Sequence, residues 1–254
     1  ADLLQGALES ARVRYEAARD GFRAVGDLHG EAGCLRELAH VIGIRGGRLT
    51  EAEVLVEQAR DRYARVGDPV GAALTESYAG ALSCIQGELE AGRAAYERAG
   101  ALARSVGDRR TEGLAEGMVA TVRMLQGELD AAGEHYDRAL TLQRETGDRV
   151  HEVITAFNHG ELRVKQGREM EARAAFTRVV DLARAIGDPL MEGNALGWIG
   201  TLQAQRDPAG AVVRLAEAES RLEASGDPIE LAKLRCKIGE VALRAGDRST
   251  AESR

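Results

Sequence analysis

Small and large apolar residues recur with helical spacing in several similar segments of the chain. A small residue is followed four positions later by a large one and three positions after that by another small one, as in Ala132-Tyr136-Ala139. These offsets place the three side chains on one face of an α-helix. The same or a closely related pattern occurs at Ala11-Tyr15-Ala18, Ala52-Val56-Ala59, Gly92-Tyr96-Ala99, Ala172-Phe176-Val179 and Ala211-Leu215-Ala218. The pattern predicts helices that pack closely through small residues.

A Gly-Asp pair follows each of these segments and gives the chain a period of about 40 residues. Successive pairs are 41, 40, 40, 40 and 39 residues apart. Glycine suits the left-handed conformation that closes a helix, and aspartate caps the helix that follows. A fixed period of this length indicates a stacked repeat array. The pairs are Gly26-Asp27, Gly67-Asp68, Gly107-Asp108, Gly147-Asp148, Gly187-Asp188 and Gly226-Asp227.

Each repeat is predicted to contain two helices. In the third repeat they cover roughly 109–126 and 129–146, with a break at Gly127 and an end at Gly147. Proline is tolerated in the first turn of a helix, and all four prolines fall where such a turn is predicted to begin. These residues are Pro69, Pro189, Pro208 and Pro228. The agreement between independent signals predicts an all-α fold.

The first helix of a repeat carries a small residue twelve positions before the first small residue of the second helix. We expect the two helices to approach closely at this position. The residues are Gly80, Ala120, Gly160 and Gly239, with Gly200 in the shortened fifth repeat, whereas the first repeat has His40 there instead.

Together these residues resemble the tetratricopeptide repeat, which has a small residue late in its first helix and an Ala-x3-aromatic-x2-Ala pattern in its second. The period of 40 residues exceeds the usual 34. The variety with Gly-Asp pairs is similar to arrays in MalT-like bacterial regulators, kinesin light chain and spindle-orientation adaptors. The resemblance implies a right-handed superhelical solenoid of antiparallel helix pairs, with about six repeats.

The resemblance covers essentially the whole chain and predicts one array over 1–254. Residues 1–25 are expected to form a second helix without its first, and 226–254 an incomplete final repeat. The full repeats are predicted at 26–66, 67–106, 107–146, 147–186 and 187–225. Neither end has a polar capping repeat, which is common in such arrays. A piece of a longer protein and self-association through the ends are therefore both open interpretations, and frayed ends are a third.

Two departures from the family pattern lead to further expectations. The first helix often has a large apolar residue four positions before its small residue, and Leu196 fits this rule. The residues that do not fit, which predict looser packing or a change of register, are Arg36, Glu76, Glu116 and Arg235. The fifth repeat is one residue shorter around Asp207-Pro208, which predicts a local bend.

In tetratricopeptide arrays the first helices line a concave groove that binds peptides. A groove with a small, apolar middle and polar ends would suit an extended or helical peptide with a hydrophobic centre. Some family members hold a C-terminal carboxylate, for which Lys165, Asn194, Lys233 and Arg244 are available but dispersed. Carried over by position, the predicted groove residues are Glu37, Arg45, Leu74, Leu114, Thr121, Phe157, Glu161, Lys165, Asn194, Gln205, Lys233 and Arg244.

Composition and charge narrow the class of partner. The net charge is −7 and no basic run is present, which argues against a nucleic-acid partner. No apolar stretch approaches 18 residues and no signal peptide opens the chain, so no membrane partner is expected. Cys34, Cys84 and Cys236 form no paired motif, which favours a reducing, cytoplasmic setting. The abundance of Ala, Arg and Gly favours a bacterial origin.

Catalytic and metal-binding motifs are not evident. His151 and His159 are eight positions apart, too far along a helix for both to bind one zinc ion. There is no phosphate-binding glycine loop, and we expect no cofactor, no metal and no enzymatic activity. Trp198 is expected to pack between helices rather than to stack on a ligand.

The sequence thus predicts a non-catalytic scaffold that binds a peptide or a protein partner in its groove. The alternative is a ligand- or peptide-sensing segment of a larger bacterial signalling regulator, such as an ATPase, kinase or cyclase fusion. A self-assembling array is a third possibility.

Overall fold

The computed structural model describes residues 2–204 and 206–244, and within these residues all regular structure is helical. The chain divides into two compact units, Ala1–Thr146 and Gly147–Arg254. The first unit contains α1 to α7 and a short π-helix. Their bounds are Asp2–Ala24 (α1), Leu28–Ala39 (α2), His40–Arg45 (π-helix), Leu49–Val66 (α3), Pro69–Ile85 (α4), Leu89–Ser105 (α5), Arg109–Leu125 (α6) and Leu129–Thr146 (α7).

The described residues of the second unit form five further helices. Their bounds are Arg149–Lys165 (α8), Glu169–Ile186 (α9), Pro189–Gln203 (α10), Pro208–Ser225 (α11) and Pro228–Arg244 (α12). We call the even-numbered helices A helices and the odd-numbered ones B helices, because each repeat consists of one A helix followed by one B helix. The all-α fold of paired helices is confirmed, whereas the assignment of α1 as the second helix of an incomplete repeat stays a prediction. The final residues, 245–254, lie outside the described part of the chain.

Glycine and aspartate separate the helices in the way that the sequence predicts. The glycines of the Gly-Asp pairs have φ between 68° and 75°, a conformation that a residue with a Cβ rarely adopts. The aspartate that follows caps the next helix: Asp188 Oδ1, for example, accepts a hydrogen bond from the backbone N–H of Met191 at 3.0 Å. The four prolines each occupy the first residue of a helix, α4, α10, α11 or α12. The boundaries of the repeats therefore follow from local chemistry.

In the second, fourth and fifth repeats the two helices cross at the small residue of the A helix that the spacing predicts, namely Gly80, Gly160 or Gly200. A Cβ on Gly160 would lie 2.7 Å from Phe176, and one on Gly200 would lie 2.8 Å from Leu215. Both partners are nearly or fully buried. The A helix can approach the B helix this closely because glycine has no side chain.

The first repeat is one residue longer than most of the others, and the structure accommodates this residue in the π-helix. A π-turn inserts a residue into a helix without ending it. The small residue that packs inside the repeat is therefore Ala39, with 0% exposure, in a cluster with Val56. His40, the residue at the expected spacing, is half-buried and stacks on Tyr78 with ring centroids 5.1 Å apart.

The same insertion corrects a second expectation. Counting back from Ala39 places the large apolar position at Leu35, which is fully buried, so Arg36 is not a departure from the family pattern.

The fifth repeat is shortened within its A helix, since α10 has 15 residues and α8 has 17. Asp207 then caps α11 directly through Gly210. The predicted bend stays a prediction.

Glu76 and Glu116, which predicted looser packing, are instead buried and paired with cations from both flanking B helices. Glu76 lies 2.7 Å from Arg60 of α3 and 2.8 Å from Arg98 of α5. Glu116 lies 3.3 Å from Arg104 of α5 and 3.0 Å from Arg138 of α7. We call such a residue a clamped glutamate.

Clamped glutamates occur at other A helices as well. Glu31 of α2 pairs with Arg23 of α1 and Arg62 of α3. In the second unit, Glu192 of α10 pairs with Arg184 of α9 and Arg221 of α11. The expectation of looser packing is therefore wrong for α4 and α6, because ion pairs of Glu76 and Glu116 take the place of an apolar contact. Each clamp links one A helix to the B helix before it and the B helix after it.

Candidate functional site

The A helices of the second unit form a pocket of about 520 Å³ on their common face. Helices α8, α10 and α12 each contribute side chains to its walls. The residues that matter for its chemistry are Phe157, Glu161, Asn194, Trp198, Lys233 and Lys237. We call this site the α8–α12 pocket. Its size lies in the range that suits small ligands and side chains.

A stack of aromatic rings fixes the apolar part of the pocket. Phe176 of α9 is completely buried, and the Trp198 ring stacks on it with centroids 5.6 Å apart and an interplanar angle of 3°. Phe157 contacts the same Phe176 ring edge-on, at 5.5 Å and 63°. Because Phe176 also fills the tight crossing at Gly160, the fold holds the Trp198 and Phe157 rings in place. Both rings are half-buried and line the pocket.

Charged groups surround this aromatic part. The Nζ atom of Lys237 lies 4.2 Å from the centroid of the Trp198 ring, a distance typical of a cation–π interaction. Lys233 Nζ instead donates a hydrogen bond to Glu230 Oε1 at 2.7 Å. Lys237 is thus the cation that contacts the indole.

Glu161 is one of two acidic residues that line the pocket, and the other is Glu230, the partner of Lys233. Burial raises the pKa of Glu161 above its ordinary value, although the charge of Lys237 and a hydrogen bond from Trp198 act in the opposite direction. Removal from water disfavours the charged form of a carboxyl group. The net upward shift of the pKa means that the pocket compensates the Glu161 charge only in part.

The structure brings four of the predicted groove residues together in this pocket, namely Phe157, Glu161, Asn194 and Lys233. Lys165 is exposed at the end of α8 and does not line it. Sequence reasoning missed Lys237, and it assigned Trp198 to packing only, whereas the ring both packs on Phe176 and lines the pocket. The side chains of Arg45 and Arg244, and all of Gln205, lie outside the described part of the structure.

The predicted groove residues of the first unit do not form one site. Glu37 and Leu74 line a pocket of about 440 Å³ that includes Arg36. Leu114 is half-buried on α6. Thr121 Oγ1 lies 3.0 Å from the hydroxyl of the buried Tyr136, so this side chain takes part in helix packing.

Groups for metal or thiol chemistry are scarce in the described residues. No cluster of three or more His, Cys, Asp or Glu side chains there is arranged to hold a metal ion. Burial raises the pKa of the Cys34 and Cys84 thiols, which lowers their thiolate fraction and hence their reactivity. None of the helices in the described residues is both long and apolar enough to cross a bilayer.

Comparison with known families gives one match: residues 111–185 match the tetratricopeptide repeat. Comparison with curated proteins gives no match.

Three solved structures that share the fold are distant from this chain in sequence. BtubC (BKLC) from P. vanneervenii has 17% identity and a TM-score of 0.70, over 87% of this chain and 90% of that chain. A signal transduction ATPase with a tetratricopeptide repeat sensor, from Pyrococcus horikoshii, has 15% identity and a TM-score of 0.72. That match covers 87% of this chain and 34% of the ATPase.

A Rap protein in complex with competence and sporulation factor also has this fold. It has 17% identity and a TM-score of 0.68, over 98% of this chain and 68% of that chain. At these identities the structures establish the fold alone, whereas the sequence match identifies the repeat. The match over residues 111–185 and the shared fold of paired helices together confirm the resemblance of this chain to the tetratricopeptide repeat family.

Proposed function

We propose that the chain is a non-catalytic interaction scaffold that binds a peptide, or a segment of a partner protein, on the A-helix face of its repeats. The observation that carries this proposal is the α8–α12 pocket. There, Phe157 and Trp198 present half-buried rings beside the polar groups of Glu161 and Asn194. Fixed aromatic rings with a few polar groups around them are typical of sites that bind a ligand.

The repeat architecture and the family both support this proposal. Tetratricopeptide repeats generally mediate protein–protein interactions, and the Rap structure of the same fold is a complex with competence and sporulation factor. Side chains at successive A helices offer separate contacts to an elongated ligand, as expected for a solenoid surface. In the second unit, such a ligand would contact α8, α10 and α12 through one pocket.

The test is a selection of peptides on the intact chain from a displayed random library, followed by calorimetry of the peptides that bind. We expect Phe157→Ala and Asn194→Ala each to weaken binding by about tenfold, which corresponds to about 1.4 kcal/mol. The matched control is Arg173→Ala, because Arg173 is an exposed residue of the B helix α9. Peptides that bind the parent and both pocket variants equally would contradict the proposal.

A sensing segment of a larger regulator is the second candidate. It is favoured by the fold that the chain shares with the sensor-containing ATPase from Pyrococcus horikoshii. A sensor must have different affinities for its ligand in two conformations, and the ligand must shift their populations. Small-angle X-ray scattering with and without a selected peptide separates the candidates: a changed radius of gyration favours the sensor, and an unchanged one favours the passive scaffold.

A further inference from the structure

In the α8–α12 pocket, an aromatic ring and a carboxylate interact with a lysine of the chain itself. Trp198 presents its ring, Glu161 its carboxylate, and the Lys237 ammonium lies 4.2 Å from the ring centroid. Lys237 also acts electrostatically on Glu161. The Lys237 ammonium thus contacts the ring and lies within electrostatic range of the carboxylate, and a ligand cation at this position would interact with both groups.

Lys237 is a replaceable occupant of this position. Its ammonium sits on a flexible four-carbon stem, and such a group is strongly hydrated and loses rotamer freedom when it is held against a ring. The Lys237 side chain is half-buried and belongs to α12, at the edge of the pocket. Rotation of this one side chain would open the position without any movement of the backbone.

A guanidinium group suits this position better than the ammonium does. It is planar, remains charged, is weakly hydrated and stacks on aromatic rings while it donates two hydrogen bonds to one carboxylate. The raised pKa of Glu161 shows that its charge is compensated only in part. A stronger and better-oriented cation would therefore gain more from Glu161 than Lys237 does.

An anionic ligand fits the same pocket less well. The second lysine, Lys233, is already paired with Glu230 at 2.7 Å, so a carboxylate would have to break that pair. It would also approach Glu161, and two like charges at short range repel. The arrangement of charges therefore favours a cation.

We propose that the α8–α12 pocket recognises an arginine side chain of the bound peptide, which stacks on Trp198, pairs with Glu161 and displaces Lys237. This inference rests on the proposed function and names the ligand class of that site. Phe157 and Asn194 then contact the residues of the peptide on either side of the arginine.

Trp198 allows a direct test because it is the only tryptophan of the chain. Its indole N–H gives a single side-chain signal in a nitrogen-15 correlation spectrum. The probes are capped peptides of Ala, Leu and Ser that differ at one central residue, which is arginine, its neutral analogue citrulline, or glutamate. We expect the arginine peptide to shift the indole signal and to bind about tenfold more tightly than the citrulline peptide.

Substitutions in the pocket identify the group that is responsible for the preference for arginine. We expect Glu161→Gln to remove the preference for arginine over citrulline, and Lys237→Ala to strengthen binding of the arginine peptide about threefold, because the competing ammonium is gone. Arg173→Ala is the control and should change neither value. The indole signal in the free variants verifies that each one is folded.

The outcomes separate this inference from the proposed function. Equal affinity for the arginine and citrulline peptides overturns the arginine inference and leaves peptide binding at the pocket intact. Preference for the glutamate peptide also overturns it and identifies an anion site. No shift with any of the three peptides at millimolar concentration overturns it too, while the library selection decides the proposed function independently.

Discussion

Glu116 and Glu161 are carboxylates of the same kind in two A helices, and their surroundings differ in an instructive way. Glu116 of α6 is 9% exposed and contacts Arg104, His135 and Arg138. Burial alone would raise the pKa of Glu116, but the hydrogen bonds from His135 and Arg138 outweigh it and hold the pKa below its ordinary value. For Glu161 burial prevails and the pKa is raised.

We propose that this difference distinguishes a structural carboxylate from one that binds a ligand. The carboxylate of Glu116 is satisfied by its own chain and links three helices. The charges of Lys237 and Lys165 and a hydrogen bond from Trp198 offset the burial of the Glu161 carboxylate only in part, and this carboxylate lines an open pocket. A partly buried, incompletely compensated carboxylate in a pocket is typical of a functional site. We expect the contrast between Glu116 and Glu161 to be visible in the free energy of unfolding when residues at and around them are substituted.

The largest loss of stability is expected from a substitution at the close helix crossing that fixes the aromatic rings of the pocket. Gly160→Leu places a Cβ 2.7 Å from the buried Phe176 ring, so the helices must separate and the rings beneath Glu161 must move. We expect a loss of about 3 kcal/mol in the free energy of unfolding, measured by denaturant unfolding.

The matched control is Gly21→Leu, because nothing lies within 4 Å of a Cβ at Gly21 in α1. It should be neutral or slightly stabilising, since leucine favours a helix more than glycine does. If Gly160→Leu and Gly21→Leu unfold at the same denaturant concentration, the close crossing at Gly160 does not exist.

Smaller changes in stability are expected when the two carboxylates themselves are substituted. Glu116→Gln removes the charge that two arginines and a histidine contact, and we expect a loss of about 2 kcal/mol at pH 7. Both arginine side chains are about half exposed, which keeps this loss below the value for a fully buried pair. Glu161→Gln should instead stabilise by about 0.5 kcal/mol, because the charge that it removes is disfavoured. Destabilisation of equal size by both changes would contradict the contrast.

The pH dependence of the same two variants should have opposite signs. A carboxyl group with a lowered pKa contributes stability that is present above its unfolded value of about 4.3 and is lost as the pH falls through the folded pKa. The advantage of the parent over Glu116→Gln should therefore shrink below about pH 4. The pKa of Glu161 is raised, so its charge costs stability above the folded pKa. The advantage of Glu161→Gln should vanish as the pH falls from the folded pKa of Glu161 to about 4.3.

The smallest effect is expected at an exposed ion pair. Arg109 and Glu145 form a salt bridge with both side chains about half exposed. Arg109→Ala should change the free energy of unfolding by less than about 0.5 kcal/mol, which thermal melts at two salt concentrations would check. A loss as large as that of Glu116→Gln would mean that burial is not what distinguishes the clamped glutamates.

The repeat, the helix bounds and the tight crossings could be predicted from sequence, because each depends on neighbours within one repeat. The end of α7 at Thr146 follows from Gly147, and the contact of Gly160 with Phe176 follows from a fixed spacing. A one-residue insertion changes the spacing, and the packed residue can then no longer be predicted from it. The spacing pointed to His40, whereas the π-helix after α2 leaves Ala39 in the packed position.

The clamped glutamates and the pocket could be predicted only in part. The pairing of Glu76 with Arg98 depends on the orientation of two helices about their axes, which a periodic pattern does not specify. For the pocket, the family's positions supplied Phe157, Glu161, Asn194 and Lys233. They did not supply Lys237, because its role depends on a ring that belongs to another helix, Trp198 of α10. Binding by these residues stays a prediction.

The most direct test of the contrast is a measurement of the pKa of Glu116 and Glu161 in the same sample, by following the carboxyl carbon signals of the folded chain through a pH titration. The account predicts that Glu116 titrates below the ordinary value of a glutamate and Glu161 above it. Shifts in the same direction for both groups would contradict the claim that one carboxylate is structural and the other is held for a ligand.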